Sequence, residues 1–203
     1  MVKSRNTEEK ILDSARAIFI KRGFDGARMQ EIADHAGINK ALLHYYFRSK
    51  EKLFDAIFSD TFQQLGPSLA ALFSSEIPLE VKIWKFVEDY IEVIKKYPQL
   101  PSFIINEINV NPERILDHLK FSDFFDYEEL KSQLQDEYEK GHIIKVDMEH
   151  FVVNILGLTI FPFVGKLIIQ KNLKIDEASW EQFIEDRKKV IPVTIMNWLK
   201  VNN

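Results

Sequence analysis

The chain has 203 residues, 46% apolar and 29% charged, with 27 Lys and Arg against 31 Asp and Glu for a formal net charge of −4. That length holds one small domain and one medium domain with a real core, and the composition is that of an ordinary globular protein. The chain has no cysteine, which excludes disulfides and thiolate metal sites, and its first residues, MVKSRNTEEK, are polar, which predicts no secretory leader and a cytoplasmic location.

In chain order, the first helix is expected to start at Thr7, with Glu8 and Glu9 near its positive end, and to stop at Gly23. Its apolar stripe is Ile11, Leu12, Ala15, Ile18 and Phe19. Two short helical patterns then flank Gly37. Ile32 and Ala33 mark the inner face of the first of them, Ile38 plugs the turn, and Leu43 is the inward residue of the second. A small side chain at 33 lets two helices approach, and glycine at 37 accepts the positive φ of a tight turn. This is helix-turn-helix spacing. The outward side of the second helix offers Lys40, Ala41, Leu42, His44, Tyr45 and Tyr46, with Asn39 as its cap.

Residues 1–52 hold 11 Lys and Arg against 7 Asp and Glu, whereas 53–203 hold 16 against 24. A basic head on an acidic body turns the head toward phosphate.

Ile11, Leu12, Ala15, Phe19, Gly23 and Phe24, then Ile32, Ala33, Ala36, Gly37, Ile38, Asn39 and Lys40, and then Leu43, Tyr46, Phe47, Ser49, Lys50, Glu51, Leu53 and Phe54 fall in one register. Together they resemble the DNA-binding domain of the TetR family of bacterial transcriptional regulators. The resemblance covers about a quarter of the chain and extends to the rest only in length and helical character. It departs at Arg28, where the family usually has a capping threonine, and at Leu42 and His44. With the start of this second helix in a major groove, each side chain has an expected role, that of Tyr46 from the resemblance and the others from residue type and place. Lys40 and Tyr45 reach base edges, Leu42 meets a thymine methyl, and His44 donates to base or phosphate. Tyr46 and Lys50 hold phosphate, and Arg28, Gln30, Asn39 and Ala41 lie against the duplex.

Ser49 is expected to cap a helix through Leu53, Phe54, Ile57 and Phe58 that breaks at Gly66-Pro67. The next starts near Pro78, with the stripe Val81, Trp84, Val87, Ile91 and Ile94, and ends before Pro98. Residues 101–110 and 111–119 read as two shorter pieces, 124–139 as a polar-faced helix closed by Gly141, and 147–170 and 176–200 as two long helices. The prediction is an all-α protein of about nine helices: a three-helix helix-turn-helix domain over 1–52, and a larger helical effector-binding and dimerisation domain over 53–203.

The stretch 151–169 is nearly all apolar, but Asn154, Pro162 and Lys166 interrupt it, and a membrane span needs about 20 apolar residues. It reads as a buried helix rather than a membrane segment. Paired with the last helix across a two-fold axis, it would form a four-helix dimer interface of Phe151, Ile155, Leu158, Trp180, Phe183, Ile184, Ile191, Ile195 and Trp198. The alternative is that both helices complete the core of a single chain.

Aromatics crowd the larger domain and suit a small hydrophobic or aromatic effector, with Phe62, Trp84, Tyr90, Phe103, Asn106, Phe124 and Asn154 as its expected lining. No nucleotide-binding glycine motif or zinc-binding HExxH is present, and the five histidines lie apart, so no enzyme, cofactor or metal is expected. The resemblance implies a homodimer on double-stranded operator DNA, acting as a repressor released by its effector. The alternative is a DNA-binding adaptor whose body takes a protein partner.

Overall fold

The computed structural model describes residues 2–73, 77–98, 100–110, 112–113 and 127–201, with side chains for all of these except 2–6, 61–65 and 68–69. Among the described residues the chain forms ten helices and no strand. They are α1 (Val2–Gly26), α2 (Met29–His35), α3 (Lys40–Tyr46), α4 (Lys50–Phe73), α5 (Leu79–Lys96), α6 (Leu100–Val110), α7 (Tyr127–Glu139), α8 (Met148–Val164), α9 (Lys166–Leu173) and α10 (Glu177–Leu199). The all-α expectation holds. The predicted helix over 111–119, apart from 112–113, and residue Phe124 lie outside the described residues, as does the side chain of Phe62.

The chain divides into two compact units, residues 1–64 with 102–120, and residues 65–101 with 121–203. The expected division at 52/53 follows the helix-turn-helix motif. Packing groups the chain otherwise, because most of α6 returns to the first unit.

In that first unit, α1 begins before Thr7 and carries a break at Gly23, where φ is 69°. Ile11, Ala15, Phe19, Ile32, Ala33, Leu43, Leu53, Phe54 and Ile57 are buried, so α1 to α4 share one core. Phe54 is its hub, with ring centroids 4.9 Å from Phe24, 5.4 Å from Phe19 and 5.8 Å from Phe103 of α6. Glu107 of α6 is 2% exposed, and its Oε1 accepts the Phe24 amide at 3.0 Å, just past the Gly23 break. A broken helix leaves amides without intrahelical partners, and a buried one left unmet is costly. Replacing Glu107 with Ala should therefore cost about 1–3 kcal/mol in denaturant unfolding, with Gln recovering most of it as an acceptor of the same reach. No loss with Ala would show that water serves the amide equally well.

In the second unit, α5 is central. Ile83, Phe86, Val87, Ile91 and Ile94 are buried, whereas Val81 is 50% exposed and Trp84 37%. The predicted stripe was wrong at those two positions. One residue turns a helix by about 100°, which puts Val81 well outside the arc of Ile83, Val87 and Ile94 and Trp84 at its edge. Lys82 is buried with its Nζ 2.5 Å from Gln133 Oε1 of α7, and burial lowers its pKa below the usual lysine value.

Two predicted helix ends move. α4 runs through Gly66-Pro67 to Phe73, and the burial of Leu72 and Phe73 offsets the one hydrogen bond that Pro67 forfeits. The predicted helix 147–170 splits into α8 and α9 at Gly165, with a 75° bend. A Cβ at 165 would meet the Phe161 carbonyl oxygen and ring at 3.2 Å, so a side chain there would have to push Phe161 aside by a few tenths of an ångström. Among the described residues no single helix is long and apolar enough to cross a membrane.

Of the nine residues predicted for a dimer interface, six lie in this unit's own core and three at its edge. Phe151, Ile155, Trp180, Ile184, Ile191 and Ile195 are buried, and Leu158, Phe183 and Trp198 pack against them partly buried. The inward stripes of α8 and α10 are satisfied within one chain, and Leu158, Phe183 and Trp198 keep part of their surface exposed.

Candidate nucleic-acid interface

The reading head is built from short elements fixed by local chemistry. Gly37 has φ 67°, which a side-chain-bearing residue adopts only with strain, and the Ile38 amide bonds to the Ala33 carbonyl at 3.0 Å to close the turn. Asn39 Oδ1 accepts the Leu42 amide at 2.8 Å and starts α3, and Ser49 Oγ accepts the Lys52 amide at 3.2 Å and starts α4. Both caps stand where the sequence places them. Each such cap stabilises its helix by about 1 kcal/mol.

Leu43 is fully buried, which fixes the rotation of α3. Lys40, Ala41, Leu42, His44 and Tyr45 are all exposed on its other sides, and Tyr46 is half-buried. Tyr45 is 80% exposed, an unusual cost for so large a ring unless a partner covers it. Its ring stands edge-on to that of Tyr46, with centroids 5.6 Å apart. His44 Nδ1 lies 3.2 Å from the Arg48 carbonyl, which leaves Nε2 turned away from that contact.

On α2, Arg28 occupies the cap position in extended conformation, its side chain exposed and making no cap bond, so its guanidinium is available to an anion. Gln30 Nε2 donates to Asp34 Oδ1 at 2.8 Å along the same helix.

Lys50 departs from its predicted phosphate role. Its Nζ donates to the carbonyls of Phe24 at 2.9 Å, Ala27 at 3.2 Å and Asp25 at 3.4 Å, and lies 4.4 Å from the Phe24 ring centroid. An ammonium has three donors, and all three are directed at the end of α1. The lysine acts as a bolt within the head. Arg48, passed over in the sequence as a spacer, is the exposed cation between α3 and α4. Its signal was charge beside the recognition helix.

Of the predicted effector lining, Phe124 and the side chain of Phe62 lie outside the described residues. Phe103 and Asn106 belong to the first unit, and Tyr90 lies in the second with its ring tilted against Phe86, centroids 5.2 Å apart, and its hydroxyl pKa pushed up by burial. Trp84 and Asn154 are exposed. Among the described residues no group of three or more His, Asp or Glu could hold a metal ion.

A buried Leu43 with an exposed polar, cationic and aromatic surface behind it, on a second helix set by a glycine turn, defines a helix-turn-helix DNA-binding protein. Residues 11–57 match the family of bacterial regulatory proteins called tetR. The chain is 24% identical over 172 residues to the probable HTH-type transcriptional regulator YttP of Bacillus subtilis, covering 83% of this chain and 82% of that one. It is 27% identical over 188 residues to the HTH-type transcriptional regulator RutR of Escherichia coli K12, covering 91% and 88%. The crystal structure of HlyIIR, a hemolysin II transcriptional regulator, superposes with a TM-score of 0.68 at 24% identity over 98% of this chain and 99% of that one, which is a likeness of fold. The chain is a DNA-binding transcriptional regulator whose residues 11–57 are similar to the tetR-type DNA-binding domain.

Proposed function

We propose that the protein is a repressor that holds a palindromic operator as a homodimer and releases it when a small hydrophobic or aromatic effector binds the second unit. The exposure of Tyr45 beside Lys40 on a helix anchored by Leu43 carries the DNA-reading part. Repression is supported by similarity to IcaR of Staphylococcus epidermidis, named a negative transcriptional regulator of a biofilm operon, at 27% identity over 184 residues.

Dimerisation is supported by the outward faces of α8 and α10. Val153 is 66% exposed, Phe161 61%, Val190 45% and Val193 41%, and a side chain at Gly157 would meet nothing within 4 Å. On α8 these positions recur every four residues, one helical face, with a glycine at the centre that permits close approach of a second helix. Two heads carried by such a dimer would read half-sites roughly 34–36 Å apart, or a multiple of that.

A second reading, an adaptor with a protein partner, is favoured by α9, where Leu167, Ile168 and Leu173 are 74%, 65% and 65% exposed. Sedimentation separates the two: self-association that covers these faces supports the dimer, and a monomer on DNA supports the adaptor.

Base reading is tested by Tyr45→Ala and Lys40→Ala on a panel of duplexes, measured by fluorescence anisotropy. Each should weaken operator binding by about 1–3 kcal/mol and relax preference at particular base pairs. A uniform loss across all sequences would move that residue to the phosphate backbone, and no loss would remove it from the interface.

A further inference from the structure

The second unit contains a cavity of about 340 Å³ at the C-terminal end of α5, the α8–α9 junction and the first turns of α10. Small-molecule sites start at roughly 300 Å³, so the space admits a compact ligand. Its apolar wall is Phe163, Trp180 and Ile184, all buried, with Pro98 beside them. Four charged side chains complete it: Lys95, Lys166, Glu177 and Glu181.

Three of those charges are already matched. Lys95 Nζ is 2.5 Å from Glu185 Oε1, and Lys166 Nζ is 2.5 Å from Glu177 Oε1, whose other oxygen accepts from Gln170 at 3.0 Å. Glu181 has no ion pair or hydrogen bond among the described residues, so the wall carries one uncompensated negative charge. Beside it, the Trp180 ring already receives a cation, with Lys166 Nζ 5.4 Å from its centroid.

We propose that this cavity binds an organic cation, a primary or quaternary ammonium on an apolar or aromatic body. The body lies against Phe163, Trp180 and Ile184, and the positive charge is met by the Glu181 carboxylate. A carboxylate ligand would meet Glu181 as a like charge and find both lysines engaged. A neutral ligand would gain nothing from Glu181. The proposal rests on the ligand-responsive reading above and names the chemical class that such a regulator would sense.

Three probes with one body and different charges test it: 4-phenylbutylamine, 4-phenylbutanoate and 4-phenylbutanol. They are titrated into the full chain by calorimetry, and release from an operator duplex is followed separately by anisotropy. The amine should bind about tenfold more tightly than either of the others. Glu181→Gln, at an exposed position where folding is unaffected, should remove that preference. Equal or tighter binding of the butanoate or butanol, or an unchanged preference in Glu181→Gln, overturns the cation assignment. Operator release by a neutral or anionic compound, with no cation preference, overturns it too and leaves the ligand-responsive reading standing. Amine binding that is lost in Glu181→Gln but does not release the duplex supports the cavity assignment and overturns ligand-responsive release.

Discussion

Replacing Lys50 with Met should loosen the head itself rather than subtract one phosphate contact. The methionine keeps the apolar stem but removes three donors from the Phe24, Asp25 and Ala27 carbonyls. The end of a helix concentrates partial negative charge on unpaired carbonyls, and an ammonium there both bonds to them and offsets that charge. The expected loss is about 1.5–3 kcal/mol, the range for hydrogen bonds to a charged group. Lys50→Arg should recover only part, because a planar fork cannot aim at three carbonyls arranged around a tetrahedral nitrogen. The measurement is hydrogen exchange of the α2 and α3 amides without DNA. Faster exchange in Lys50→Met is the expected result. Unchanged exchange, together with a fall of about one in the salt slope of DNA binding, would return Lys50 to the phosphate-binding set.

Placing a charge on the outward face of α8 should separate the subunits without unfolding them. Phe161 is 61% exposed in one chain, so Phe161→Arg removes little from that chain's own core. In a dimer sealed by α8 and α10 it would bury an unpaired guanidinium, which costs several kcal/mol. The variant should sediment as a folded monomer and bind operator at least ~100-fold more weakly, since a loss of about 2.7 kcal/mol already corresponds to that factor. Ile191 makes the opposite control. It is fully buried within the chain, and Ile191→Ala should cost about 2–5 kcal/mol of folding stability. A Phe161→Arg protein that remains dimeric would place the interface elsewhere.

What the sequence disclosed and what it withheld divide by range. The Asn39 and Ser49 caps and the Gly37 turn involve partners three to five residues away, so the local pattern specifies them. The burial of Leu43 and Ile32 follows from helical phase. The contacts of Lys50 and Glu107 were not legible because their partners lie 23–26 and 83 residues away. On α8, apolar side chains cover nearly every side, so periodicity carries no phase. The sequence therefore could not tell Phe151 and Ile155, which face inward, from Val153 and Phe161, which do not. α5 failed differently. Val81 and Trp84 are apolar residues beside the true stripe, and their exposure became visible only once Ile83 and Val87 were seen to take the core.

The central claim is that the first unit is a DNA reader and that two copies of it act together. Selection of bound duplexes from a random pool by the purified full-length protein, at low ionic strength, tests both parts at once. The account predicts an enriched palindrome, with half-sites spaced by a helical turn or a multiple of it and occupied by two chains. Recovery of no preferred sequence, or of a single unrepeated site bound by one chain, would contradict it.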